Sequence, residues 1–266
     1  MSFSSQLREK LAGKLSEKEL GLLPSSYLML GKILLFKLKP GLLSQRKLIG
    51  KATLELMPYL DSVFLQKGIS ERERKPKIEL LAGKRCGEAL HNENGCSFLL
   101  DVRKVMWSKG NKAEKMRLVS LAKRGETVVD MFAGIGYWTV LLAKNTKVRK
   151  IYAIDINPAA IKYLEMNVSL NKLGAKVEVL KGDCRKFAPV LEGAADRVIM
   201  GYLWGTNKFL PAALRMAKHG ATIHYHCILK EGAKAPKIKS AKLVRMKMIK
   251  DYSPGMCHYV LDLEKK

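Results

Sequence analysis

The sequence is poor in cysteine, in aromatic residues and in acids. Its five cysteines (Cys86, Cys96, Cys184, Cys227 and Cys257) are scattered, odd in number and without a Cys-x-x-Cys pair, which excludes a disulfide framework and a zinc knuckle. His224, His226 and Cys227 fall together in IHYHCIL. On a strand the two histidines share one face, the cysteine takes the other, and no carboxylate stands beside them in sequence, so no metal is expected. No run reaches about 18 uncharged apolar residues, and MSFSSQLREK lacks a signal-peptide core. A soluble, reducing, cytoplasmic setting without a membrane is expected. Repeats and low-complexity tracts are absent too. Against 24 Asp and Glu stand 49 Lys and Arg, a formal charge of +25 shared by both halves of the chain. Such a field attracts polyanions, in contacts that weaken steeply with salt, and makes nucleic acid the leading partner. A solvated lysine-rich surface is the competing explanation.

What is present begins with a regular alternation from Thr127 onward. TVVDMF reads as a strand, WTVLLAK as a helix, KIYAIDI as a strand and PAAIKYLEMNVSLNKLG as an amphipathic helix. KVEVLKG, ADRVIMGYL and ATIHYHCIL continue the strands, with a short segment at Cys184 to Leu191 and the helix FLPAALRMAKHG between them. That order predicts an α/β fold, a mostly parallel sheet covered on both faces. AKLVRMKMIK and MCHYVLDLE would add an antiparallel hairpin at one edge. The whole resembles the seven-stranded class I methyltransferase-type Rossmann fold. Residues 1–95 read as a smaller α+β domain ending in a charged connector, ERERKPKIELLAGKRCGEALHNENG, and residues 96–266 as the catalytic domain.

DMFAGIGYWT, Asp130 to Thr139, carries Gly134 and Gly136 between a strand and a helix, but Thr139 stands where a dinucleotide loop has its third glycine. Asp155 ends the next strand, suited to a ribose diol, and Asp183 ends the third, suited to an adenine amino group. Each aspartate alone could be a helix cap or turn residue. Three acids at three successive strand ends, without the third glycine, point to S-adenosylmethionine over NAD or FAD. Phe132, Ile156 and Cys184 flank these positions and complete the candidate cofactor set.

Four longer stretches carry a resemblance: HNENGCSFLLDVRKVMWSKGNKAEKMR, GETVVDMFAGIGYWTVLLAK, YAIDINPAAIKYLEMNVSLNKL and ADRVIMGYLWGTNKFLPAAL. Together they resemble the tRNA guanosine-37 modifying enzymes, which comprise guanine-N1 methyltransferases and wybutosine-synthesizing protein 2. The methyltransferases have an Asn-Pro-Pro-Tyr or Asn-Leu-Pro motif after the fourth strand. Here Gly201 takes the asparagine position in MGYLWGTNKFL and no proline follows. VMWSKGN (Val105 to Asn111) is also closer to the VMFSPGN of the wybutosine branch, with Lys109 in place of its proline. The resemblance to that archaeal branch implies transfer of the 3-amino-3-carboxypropyl group of S-adenosylmethionine to carbon 7 of the tricyclic base at position 37 of phenylalanine tRNA, by an enzyme expected to be monomeric that binds the anticodon arm.

By position in these motifs, Ser108, Lys115 and Arg117 are candidates to anchor the methionine arm, although Lys115 and Arg117 equally fit a solvent-facing helix edge. Gly201 is expected to leave room for the rotated arm. Tyr202 and Trp204 are candidates to stack on an extruded base or are rim residues. Arg103 corresponds to an arginine that the related methyltransferases use near the reacting base. His91 and Asn92 bind RNA or shape a turn, and Lys230 to Lys250, with eight Lys or Arg and one acid, form a candidate phosphate track. The rival readings are a guanine-37 N1-methyltransferase and a non-catalytic RNA-binding scaffold.

Overall fold

The computed structural model describes residues 2–70, 75–107 and 111–266. Two compact units divide the chain, Met1–Trp107 and Ser108–Lys266.

In the first unit a four-stranded sheet has the order β1 (Leu28–Leu30), β2 (Ile33–Phe36), β3 (Ser62–Ile69), β4 (Pro76–Gly83). β2 and β3 run parallel, joined through α3 (Arg46–Leu56). α1 (Phe3–Leu11) and the short α2 (Glu17–Leu20) contribute Leu7, Leu11 and Leu20 to a core with Leu34, Phe36, Ile49 and Val63. Ser16 and Glu19 close α2 with a reciprocal capping box. The expectation of an exposed connector over residues 71–95 is corrected. Pro76–Gly83 pairs antiparallel with β3, and β5 (Glu88–Glu93) forms a hairpin with β6 (Cys96–Asp101) across Asn94 and Gly95, both at positive φ. The Asn-Gly pair supplies the turn such a hairpin needs. Among the described residues Lys77 and Glu88 are exposed strand positions, beside the buried Leu81 and Ala89.

The second unit holds a seven-stranded sheet of order β12-β13-β11-β10-β7-β8-β9. β7 (Thr127–Asp130), β8 (Lys150–Asp155), β9 (Val177–Lys181), β10 (Ala195–Met200) and β11 (Ala217–Lys230) are parallel. β13 (Met256–Lys265) pairs antiparallel with β11 and with the edge strand β12 (Ala241–Ser253). The strands are continuous apolar runs because both faces are covered: Val128, Val129, Ile151, Ala153, Val198, Ile199 and Ile223 are all buried. The helices are α4 (Lys112–Leu121), α5 (Thr139–Asn145), α6 (Pro158–Leu170), the one-turn α7 (Cys184–Phe187) and α8 (Leu210–Met216). β11 starts four residues earlier than predicted, taking AKHG from the end of the predicted helix, and Ala217 pairs with Ala195. Strand order reverses between β7 and β10, which opens a crevice at their carboxyl ends, the usual ligand edge of such a sheet. Among the described residues no helix is long and apolar enough to cross a membrane.

Candidate active site

The glycine loop bridges β7 and α5. Gly134 (φ +58°) and Gly136 (φ +98°) hold backbone that side chains disfavour, and a Cβ on Gly136 would lie 2.7 Å from Val140 Cγ2. Gly134 N donates to Asp155 Oδ2 at 2.7 Å, and Asn157 N donates to Oδ1 at 2.8 Å. Asp155 is only half-buried at the end of β8. Each of its oxygens accepts one backbone amide and retains a lone pair for a hydroxyl, as a ribose site requires. Burial pushes its pKa upward. Ile156, next in sequence, is 52% exposed, an apolar face beside that carboxylate which folding leaves in water.

Asp130 supports the loop from beneath. It is wholly buried, accepts from Thr139 Oγ1 at 2.8 Å, and burial raises its pKa to about 7. Thr139 therefore clamps the loop to its own strand from the third-glycine position. Asp183 is a helix cap, accepting from Arg185 N at 3.0 Å, and Arg185 grips it with Nε at 3.0 Å and Nη2 at 2.5 Å. That hydrogen-bonded guanidinium holds its pKa below the usual carboxylate value. The same guanidinium lies 4.9 Å from the Phe209 ring centroid. Cys184 is buried in the core with its thiol pKa pushed up to about 12 by desolvation, so it stays neutral and offers a ligand no more than its backbone.

Phe132 leaves the glycine loop to stack on Tyr202, with centroids 5.2 Å apart and planes 24° apart, and Phe209 meets Phe132 edge-on at 5.0 Å. Thr206 Oγ1 donates to Tyr202 O and fixes the turn. Tyr202 thus has one ring face covered. Gly201 does not leave the open room expected of it: a Cβ there would sit 2.9 Å from Trp138 Nε1. The indole of Trp138, 5% exposed, already fills the side-chain space at position 201.

Two family models match. The TRM5/TYW2 methyltransferase domain covers residues 89–251 and the TYW2 N-terminal domain residues 7–86. The chain belongs to the TRM5/TYW2 family. It is similar to the tRNA(Phe) (4-demethylwyosine(37)-C(7)) aminocarboxypropyltransferase of Pyrococcus horikoshii, 38% identical over 97% of this chain and 95% of that one. To the tRNA (guanine(37)-N(1))-methyltransferase Trm5b of Pyrococcus abyssi it is 38% identical over 79% of this chain and 62% of that one. The crystal structure of P. horikoshii TYW2 in complex with MeSAdo matches with a TM-score of 0.85 at 34% identity, covering 98% of each chain. The methyltransferase-type Rossmann fold expected from the sequence is the fold of this TRM5/TYW2 chain.

Of the residues expected to anchor the donor's methionine arm in this family member, Ser108 lies outside the described residues. Lys115 is buried, its Nζ 5.5 Å from the ring centroid of Tyr137 in the glycine loop, so it is no solvent-facing helix edge. Arg117 acts as a brace in this structure. It donates to Glu114 (Nε at 2.8 Å, Nη2 at 2.5 Å) and to Asp262 (Nη1 at 2.6 Å, Nη2 at 3.0 Å), which uses four of its five N–H donors. Asp262 also bonds His224 Nδ1 at 2.7 Å, His224 Nε2 meets Arg197 Nη1 at 2.6 Å, and Arg197 is held by Glu126 at 2.9 Å. A carboxylate therefore does accompany the histidines, supplied by β13, and the sequence signal for it was a charged residue inside the apolar run YVLDLE. Hydrogen bonds from His224 and Arg117 hold the Asp262 carboxyl far below the usual range against the opposing effect of burial. His226 pairs instead with His258 at 2.9 Å and lies 5.5 Å, centroid to centroid, from Trp138.

Arg103 belongs to the first unit. It is held by the buried Asp101 (Nη2 at 2.6 Å, Nε at 2.9 Å) and by Arg85 O at 3.0 Å, with its side chain 46% exposed. On the β5–β6 hairpin, His91 meets Trp107 edge-on at 4.7 Å and Asn92 Oδ1 accepts from Ser97 Oγ at 2.8 Å, contacts that shape the hairpin.

Proposed function

We propose that this protein transfers the 3-amino-3-carboxypropyl group of S-adenosylmethionine to carbon 7 of the tricyclic base, 4-demethylwyosine, at position 37 of phenylalanine tRNA. The observation that carries the reading is at the end of β10. Gly201 presents no side-chain amide, and the indole of Trp138 occupies the space one would need. The similarity to an aminocarboxypropyltransferase along nearly the whole of both chains supports the same choice over base methylation.

S-Adenosylmethionine, the donor substrate, supplies a sulfonium whose three attached carbons are all electrophilic, so orientation decides which group moves. In the transfer, a bond forms between carbon 7 and the γ-carbon of the methionine arm as the bond from that carbon to sulfur breaks. The electron pair goes to sulfur, 5′-methylthioadenosine is released, and carbon 7 gives up its proton. The chain's own part is to hold the reactants. Asp155, fixed by two amides, accepts the ribose hydroxyls, and the exposed Ile156 takes one face of the adenine, with Gly134 and Gly136 allowing close backbone approach. Lys115, buried beside the loop, is the cation for the arm's carboxylate. Tyr202 offers its uncovered face to the base, and the cationic stretch Lys230–Lys250 follows the RNA backbone. The protein acts on the anticodon arm, as a monomer in the cytoplasm.

The by-product tests this reading. Incubation with S-adenosylmethionine and tRNA bearing the tricyclic base is expected to release 5′-methylthioadenosine on chromatography. Release of S-adenosylhomocysteine in its place would mean methyl transfer and would overturn the reading.

A further inference from the structure

One aromatic pair differs from all the packed rings described above. The protein has three tryptophans, of which Trp107 and Trp138 are buried while Trp204 is 51% exposed. Its ring meets Tyr252 edge-on at 5.5 Å and 77°, and Tyr252 is itself 38% exposed. These residues come from distant segments, the turn after β10 and the end of β12. β12 is antiparallel to β13, which is antiparallel to β11, so β12 ends at the same sheet edge as β7, β8 and β10. That edge carries the glycine loop and Asp155.

The surroundings carry exposed charges of both signs, Lys250 with Asp251 beside it on β12 and Lys230 with Glu231 after it at the end of β11. Lys250 precedes Tyr252 by two positions on the exposed edge strand, and Lys230 ends β11 at the same edge. Both are exposed, and among the described residues neither is ion-paired with a carboxylate. An apolar ring set edge-on to a second ring and left in water, at a sheet edge that also carries ammonium groups without a carboxylate partner, has the makeup of a site for a single-stranded nucleic acid, in which bases stack and phosphates meet lysines. A duplex hides its base faces and could use only the lysines.

We propose that the Trp204–Tyr252 pair is a stacking platform for an unpaired base of the RNA loop that flanks the reacting base. The proposal rests on the RNA-modifying reading of the site. Trp204 offers its open ring face, Tyr252 holds that ring upright from its edge, and Lys250 and Lys230 neutralise the adjoining phosphates.

Trp204, as the one exposed tryptophan among the three, is its own probe. Its fluorescence, taken as the difference between the wild type and W204F, is expected to be open to acrylamide quenching in the free protein. It should become protected on adding an anticodon stem-loop oligoribonucleotide with unmodified guanosine, but not on adding an RNA duplex of equal length. Stacking is worth about 1–3 kcal/mol per base, so W204A should weaken stem-loop binding by about ten-fold or more, with W204F retaining most of the affinity and S-adenosylmethionine binding unchanged. Y252A should weaken it less. Absence of protection, equal protection by the duplex, or a W204A protein that binds the stem-loop like the wild type would each overturn the platform. The binding test needs no transfer. Protection by the stem-loop without aminocarboxypropyl transfer would leave the platform standing and the reaction reading failed, whereas transfer with unchanged W204A affinity would remove the platform alone.

Discussion

Replacing Gly201 by alanine adds a single methyl group, and the structure says where it must go. The new Cβ would lie 2.9 Å from Trp138 Nε1, closer than real Cβ atoms come to such neighbours. Relief by a small swing of the indole is limited, because Trp138 is 5% exposed and its ring lies 5.5 Å, centroid to centroid, from His226, which is bonded to His258 at 2.9 Å. Over-packing of a filled core costs about 1–3 kcal/mol. G201A is therefore expected to lower the urea midpoint by that equivalent with an unchanged slope, and to reduce transfer because the indole is displaced at the reacting edge. W138F shortens the ring system and should lose stability alone through the cavity it leaves, yet the double variant should lose less than the sum of the two. The expected coupling is about 1 kcal/mol or more. A G201A protein as stable and active as the wild type, with no coupling to W138F, would refute the claim that the indole fills the side-chain space at this position.

Two further outcomes follow from the site and its supports. D155N removes the charge that holds the loop amide of Gly134 and would accept the ribose hydroxyls, and since hydrogen bonds to charged groups are worth about 1.5–3 kcal/mol, calorimetry should find S-adenosylmethionine bound about ten-fold or more weakly; unchanged affinity would exclude Asp155 as the ribose acceptor. Burial holds His258 at a pKa of about 4, with the Lys250 charge adding to the effect, so between about pH 4 and 6.5 the unfolded chain binds a proton there that the folded one does not. That site's contribution is complete above pH 6.5 and is lost as pH falls, so H258L should flatten the rise of stability with pH across this window by up to about 1.4 kcal/mol per pH unit; denaturation curves of parallel slope for both proteins would contradict it.

The Rossmann-type unit was legible because each of its strands is a short apolar run bounded by glycine or charge, and because Asp130, Asp155 and Asp183 fall at successive strand ends. Sequence did not separate their duties. Asp155 alone keeps surface beside an exposed apolar residue, while Asp130 turns inward to Thr139 and Asp183 caps a helix turn. β4 and β5 were hidden by flanking charge, since KPKIEL reads as a solvated linker until Leu81 is seen to enter the core. The remaining surprises are contacts across the sheet. Arg117 and Asp262 lie 145 positions apart, and neither Trp138 against Gly201 nor Trp204 against Tyr252 has a local pattern that announces it. Non-local pairing of that kind follows from strand order, which spacing along the chain does not give.

The most direct test of the central claim follows the two ends of the donor separately. With S-adenosylmethionine labelled in the carboxyl carbon, the label is expected to enter tRNA carrying the tricyclic base. With the donor labelled in the methyl carbon, the label is expected to leave in 5′-methylthioadenosine. Methyl label in the RNA, with the carboxyl label left behind in the released nucleoside, would contradict the account and make Gly201 a feature of a methyltransferase.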